Sequence, residues 1–321
     1  MAYSNGSIAL RKAAIAVAAR STAGRFERVS LEHAGCVPLL WGRPRSASRG
    51  LFISSRLASQ LLSFPCRLHM SILKTFAFSA LTLAAGIAPI TAEDFNDLVL
   101  EQVRAMPTGG RYSVSHFATI QLQSSAHFES GKFFLLPTAA SPSFCSGATY
   151  LVFIRTIEAL RARGKIDLDF ATLDQLIIRN QHDGEGIWGR WNANGPGTAR
   201  LFHELGLGRN FESFSEAQPG DFMKIFWSKE VGKSESGHSV IFLGMERRLG
   251  IDYVRFWSSN IPGGYGEKSV PRSKIAYAIF SRLQTPSNLT RISSAPLVDS
   301  YLASLLRRRS SFAEATKKCG I

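Results

Sequence analysis

Three side chains of this chain have the types and the order of an acyl-transfer centre: Cys145, His238 and Asn260. Cys145 lies in "PSFCSGATYLVF", between a proline turn and an apolar run. The stretch Ser146 to Arg163 reads as a long helix that Gly164 stops, with Ala148, Leu151, Val152, Ile157 and Leu160 available for one face. Cys145 then sits at a helix N-terminus. There, unpaired N–H groups and the positive end of the helix dipole favour the thiolate, and the same N–H groups can hold an oxyanion. His238 opens the strand-like run "HSVIFLGME". An imidazole on a rigid strand can take a thiol proton and return it to a leaving amine. Asn260 follows the next strand-like run, in "RFWSSN". A polar side chain there can fix the imidazole's tautomer through its second nitrogen.

Each residue also has a plainer reading. Cysteine is often a small, inert core residue. His238 alone reads more readily as an edge-strand histidine. Asn260 precedes "IPGGYG", where a turn asparagine is the default, and Ser258 and Ser259 compete for its role. What raises the set above its members is that order and secondary-structure setting agree.

The elements that must position them follow from pattern. "EDFNDLVLEQVRAMP" carries apolar residues at helical spacing and ends before Pro107. "TGGRYS" is a turn, and residues 168–180 read as a further helix. "WGRWNANGPGTARLFHELGLG" reads as a loop entering a short helix closed by Gly206 and Gly208. The period then changes: "GDFMKIFW", "HSVIFLGME" and "DYVRFWSS" are strand-like. Helices first and consecutive strands after give an α+β class, with the nucleophile helix packed on an antiparallel sheet.

The formal charge of +14 is concentrated at the ends. Residues 93–285 carry 21 Lys and Arg against 20 Asp and Glu, so the segment that reads as globular is nearly neutral and a nucleic-acid function is discounted. Residues 1–69 are rich in Arg, Ser and Ala, with only Glu27 and Glu32 as acids, and read as a non-native or disordered leader. From Met70, Lys74 precedes an apolar run from Thr75 to Ile87, and "ITA" stands before Glu93. Residues 70–92 therefore read as an export signal, with an organelle transit peptide and an uncleaved anchor as rivals. The run is shorter than the roughly twenty residues of a spanning helix. The domain is expected over 93–285, and 286–321 as a basic tail. Cys36, Cys66, Cys145 and Cys319 show neither metal-ligand spacing nor the density of a disulfide framework.

"PSFCSGATYLVF", then "QPGDFMKIFW", then "GHSVIFLG" together resemble the NlpC-type and CHAP-type cysteine peptidases and amidases, over roughly residues 105–285. In those families a Cys-Ser-Gly opens the central helix, a Pro-Gly-Asp turn enters the first strand, and Gly-His opens the second. The resemblance implies a papain-like fold and hydrolysis of amide bonds in the peptide stems of bacterial cell walls. It also implies an upstream tyrosine at the oxyanion site, for which Tyr112 is the candidate, with Gln121 and Gln123 as alternatives. The stretch between Cys145 and Pro219 is longer than in a minimal member. Part of the excess is "WGRWNANGPG", where Trp188 and Trp191 with Arg190, Asn192 and Asn194 either wall a substrate cleft or plug the core. Tyr265 and Glu267 either line the site or serve the turn. His182 beside Asp183 and His203 beside Glu204 lack metal spacing and read as structural or exposed.

The expectation is an exported cysteine hydrolase, secreted or periplasmic and monomeric. It would act on a cell-wall peptide or glycopeptide, without metal or cofactor, and with no membrane span after signal cleavage. Cys145 is its nucleophile, His238 its base and acid, and Asn260 orients His238. Tyr112, Trp188, Trp191, Asn192 and Tyr265 are candidates for oxyanion or substrate binding. Two rivals remain: a non-catalytic binding module on the same fold, and a thiol acyltransferase.

Overall fold

The first helix, α1 (Asn96–Arg104), buries Leu98, Val99 and Val103. Counted from Phe95, Leu98 and Val99 fall three and four residues on and Val103 four further, which puts them on one face of this helix. It belongs to a computed structural model that describes residues 94–129 and 132–321. The expected leader and export signal lie outside these residues. After α1 come the short strand β1 (Gly109–Gly110), helix α2 (His116–Ser124) and the hairpin β2 (Ala126–Glu129) and β3 (Lys132–Leu135). Helix α3 (Cys145–Ala162) follows, then the short α4 (Phe170–Asp174), α5 (Gly186–Asn192) and α6 (Gly197–Leu205). The remaining strands are β4 (Gly208–Phe211), β5 (Phe222–Phe226), β6 (Val231–Gly232), β7 (Gly237–Arg248), β8 (Ile251–Asn260), β9 (Gly264–Pro271) and β10 (Tyr277–Leu283). A 3-10 helix (Pro286–Ser294), α7 (Ser300–Ser304), β11 (Arg309–Ser310) and α8 (Phe312–Lys318) complete the chain.

Seven strands form one antiparallel sheet in the order β1-β9-β8-β7-β5-β10-β4. The class is α+β. Helix α3 is buried on nearly every side, from Ala148 to Leu160, because it packs both on the sheet and under α1 and α5. Its core continues into Phe222, Ile241 and Trp257 of the sheet. A second apolar cluster, with Ile225, Val240, Phe242 and Phe256, covers the opposite sheet face. Among the described residues no helix is long and apolar enough to cross a membrane.

The turn "QPGD" is a structural junction. Gly220 adopts φ 98°, and a Cβ there would lie 2.6 Å from the Asn96 carbonyl. Asp221 is fully buried and takes Arg282 Nε and Nη2, both at 2.8 Å, with Asn96 Nδ2 at 2.9 Å and the Gln218 N–H at 2.7 Å. One carboxylate thus ties α1, β5 and β10 together.

Three expectations need correction. "WGRW" is not a loop but helix α5, its aromatic pair spaced three apart so that both rings turn inward. Strands β4, β9 and β10 were not foreseen. β10 is buried on both faces and shows no alternation, while β9 is rich in glycine and charge. The chain from Pro286 is also not a tail. Leu289, Leu302, Leu305 and Cys319 are buried, β11 pairs with β6, and Arg200 Nε holds Asp299 at 2.7 Å. Each of these segments is too short to show a period in sequence, and packing gives it order.

Replacing Arg282 with Met leaves the Asp221 carboxylate buried without its cation. The expected cost is about 3–5 kcal/mol, read by urea unfolding. A loss under about 1 kcal/mol would show that the junction does not depend on this pair.

Candidate active site

Cys145 is the first residue of α3. The residue before it, Phe144, is extended (φ −138°, ψ 163°) and offers no capping side chain. The first-turn N–H groups of an α-helix have no intrahelical acceptor, so this helix start presents donors beside the thiol. Gly147 lets α2 approach this turn closely: a Cβ there would lie 2.8 Å from Leu122 Cδ2.

The segment before Cys145 is held from two directions. Ser143 donates its hydroxyl to Ser259 Oγ at 2.7 Å, anchoring it to β8. The Tyr112 segment runs beside it, with Ser113 N–H donating to Ser143 O at 2.8 Å and Ser143 N–H to Arg111 O at 3.1 Å. The sequence-expected Tyr112 is thereby brought next to the residue two before the nucleophile, half-buried against the core.

His238 stands at the start of β7, beside the rings of Trp227 and Phe256, 6.2 and 5.7 Å between centroids. Its Nε2 lies 3.1 Å from Asn260 Oδ1. The asparagine amide has one orientation available, because its Nδ2 donates to Gly266 O at 2.8 Å and to Ser258 O at 3.2 Å. Oδ1 must therefore accept from Nε2–H, which leaves Nδ1 to face the thiol. Ser258 and Ser259, the competing residues, are fully buried and engaged elsewhere: Ser258 Oγ donates to Ser239 O at 2.7 Å.

The Cys145 thiol is hemmed in by protein although the residue keeps partial exposure. Burial alone raises its pKa. The charge of His238 and a hydrogen bond with it, a bond to the Ser239 backbone and the charge of Lys224 outweigh burial and bring the value down to about 6. The arrangement can therefore present a thiolate near neutrality, an imidazole of fixed tautomer and backbone donors at one place.

Other expected site residues fare differently. Asn192 is exposed at the end of α5 and accepts the Ser146 hydroxyl at 2.6 Å, beside the nucleophile. Trp188, Trp191 and Tyr265 do not line a cleft: they are 3%, 2% and 4% exposed. Trp191 stacks on Phe153 at 4.9 Å and meets Phe222 edge-on at 5.3 Å, while its indole N–H reaches Ser146 O at 3.2 Å. Trp188 lies against Tyr150 and Phe144. The Tyr265 hydroxyl donates to Ala140 O at 2.9 Å, so this residue supports the strap before Cys145 from below, and burial raises its pKa. Arg190 is likewise core, held by Glu204 and by the carbonyls of Gly184, Gly186 and Pro296. Gln123 turns to Asn180 at 3.0 Å.

Sequence reasoning missed Ser143, Ser239 and Lys224. The last had a signal, since a lysine inside the apolar run "FMKIF" requires a partner when that strand is buried. No family model, curated protein or solved structure matches the chain.

The thiol value sets a pH profile. Thiolate persists down to about pH 6, so iodoacetamide labelling of Cys145, read by peptide mass, should inflect near there. In His238→Ala the lowering influences of His238 vanish, while burial, the Ser239 backbone bond and the Lys224 charge remain. The inflection should then move upward, toward the free-thiol value of about 8.5. An unchanged profile in that variant would dissolve the pair.

Proposed function

We propose that the chain is an exported cysteine hydrolase with an NlpC-like fold that cleaves amide bonds in cell-wall peptides. The carrying observation is the linked set Cys145–His238–Asn260, in which the amide orientation of Asn260 commits His238 Nε2 and leaves Nδ1 for a thiol lowered to about 6. The order of helix, Pro-Gly-Asp turn and Gly-His strand supports the fold assignment. The substrate class and export rest on the sequence resemblance and on the signal-like segment at 70–92.

In this reading the Cys145 thiolate attacks the amide carbonyl carbon. The oxyanion is held by N–H groups of the first turn of α3, with Tyr112 close by. The C–N bond breaks as His238 gives its proton to the departing amine. His238 then takes a proton from water, whose oxygen attacks the thioester and releases the acid and the thiolate. Asn260 keeps the ring in one tautomer throughout, and Asn192 flanks the entrance through Ser146.

The test is release of new amino groups from purified peptide stems. Cys145→Ala should abolish it, His238→Ala should lower it by about 10²–10⁴-fold, and Asn260→Ala by up to about 10²-fold. Stems bound intact, with equal affinity by wild type and Cys145→Ala, would replace the hydrolase with a binding module. Transfer of the acyl group to an added amine in preference to water would make it an acyltransferase.

A further inference from the structure

Lys224 is the one residue of β5 that brings a charge to the site side of the molecule. It pairs in register with Ser239, the residue after His238. Its side chain is largely buried, and its Nζ lies 2.8 Å from Glu235 Oε1 and 5.4 Å from the centre of the Phe226 ring. The ion pair passes directly over the residue before His238: a Cβ on Gly237 would come within 2.9 Å of Lys224 Nζ and 3.0 Å of Glu235 Oε1. The glycine of the Gly-His pair is thus the space that the ion pair occupies.

Glu235 is fixed in turn. Its Oε2 accepts the N–H of Gly232 at 2.7 Å and of Gly195 at 2.6 Å. Gly195 belongs to the turn after α5, whose preceding residue Asn194 donates its N–H to Asp183 at 3.2 Å. Asn192, just upstream, receives the hydroxyl of Ser146. A chain of contacts therefore runs from Lys224 through Glu235 and the 192–195 turn to the residue after the nucleophile.

The charged and titratable groups around this place can be named. The charges that act on Cys145 are those of His238 on β7 and Lys224 on β5. Lys224 is faced by Glu235, and Asp183 shares the fields of Lys224, Glu235 and His182, with burial raising its own pKa. Lys224 uses one of its three N–H donors on Glu235.

We propose that Lys224, anchored by Glu235 against Gly237, is a positioning residue that favours the ionised thiol of Cys145 beside His238. The proposal rests on the thiolate reading of the site given above.

Labelling of Cys145 by iodoacetamide against pH, read by peptide mass in the full chain, tests it. Lys224→Met should move the inflection upward by about half a unit or more. That shift slows labelling at pH 6 by about twofold and well below pH 6 by about threefold, with the high-pH plateau unchanged. Lys224→Arg should keep the wild-type profile. Glu235→Gln removes the charge that offsets Lys224 and should move the inflection the other way. A Lys224→Met profile that overlays wild type overturns the proposal. So do shifts in one common direction for Lys224→Met and Glu235→Gln, which mark structural support alone. Should Lys224→Met fail to fold in a thermal melt, Glu235→Gln decides: a downward shift supports the role and none refutes it. A wild-type profile with no inflection below the free-thiol range removes the thiolate reading itself. An inflection present in wild type but unmoved in Lys224→Met removes Lys224 only.

Discussion

A helix that is buried on nearly every side cannot slide freely on the sheet that supports it, and α3 is such a helix. Between Gly147 and Leu160 all but Arg155, Glu158 and Ala159 are buried, against the sheet, α1 and α5. In a close-packed interior, a shift of even one methylene is resisted. The position of Cys145 is therefore a consequence of core packing some residues away. The tryptophans of α5 matter to the site for this reason. Both are buried, yet they pack against Phe144, Tyr150 and Phe153 at and within α3, and the Trp191 indole N–H donates to Ser146 O and Thr149 Oγ1 of its first turns.

The second constraint is electrostatic. A thiol enclosed by protein stays neutral unless something favours its charged form. Here the compensation comes from the sheet: His238 and the Ser239 backbone on β7, and Lys224 on the neighbouring β5. β5 is fixed at its far end by the Asp221–Arg282 junction to β10, and the Asp221 carbonyl accepts the Phe242 N–H of β7 at 2.9 Å. The same turn that resembles a family motif thus has a plain physical task, which is to seat the sheet under the helix. Across β8, Asn260 transmits a further restriction, since its two carbonyl acceptors decide which imidazole nitrogen carries hydrogen.

Much of this was legible in the sequence where one element's own period carried it. Helix α3 and the strands at "FMKIF" and "HSVIFLGME" follow from local pattern, and with them the positions of Cys145 and His238. Asn260 was legible only as a residue at the end of a strand; its contact with His238 depends on the β7–β8 register. The misreadings share one cause. Trp188 and Trp191 carry large apolar surfaces that suit a cleft wall and a core equally, and only the fold distinguishes them. The segment from Pro286 has short pieces that no period reveals, yet Leu302 and Leu305 are fully buried. Cys319, near the end of the segment expected as a basic tail, is 1% exposed, and its carbonyl accepts the Asn210 side chain at 2.9 Å.

The central claim is that Cys145 is a thiolate near neutral pH. The most direct measurement is the ultraviolet absorbance of thiolate against pH, in a chain with Cys36 and Cys66 replaced by serine. Cys319 stays silent in that range, because burial pushes its thiol up to about 12. The account predicts one thiolate appearing near pH 6, absent when Cys145 is also replaced by serine. A thiolate that appears only near the ordinary value of about 8.5 would contradict it.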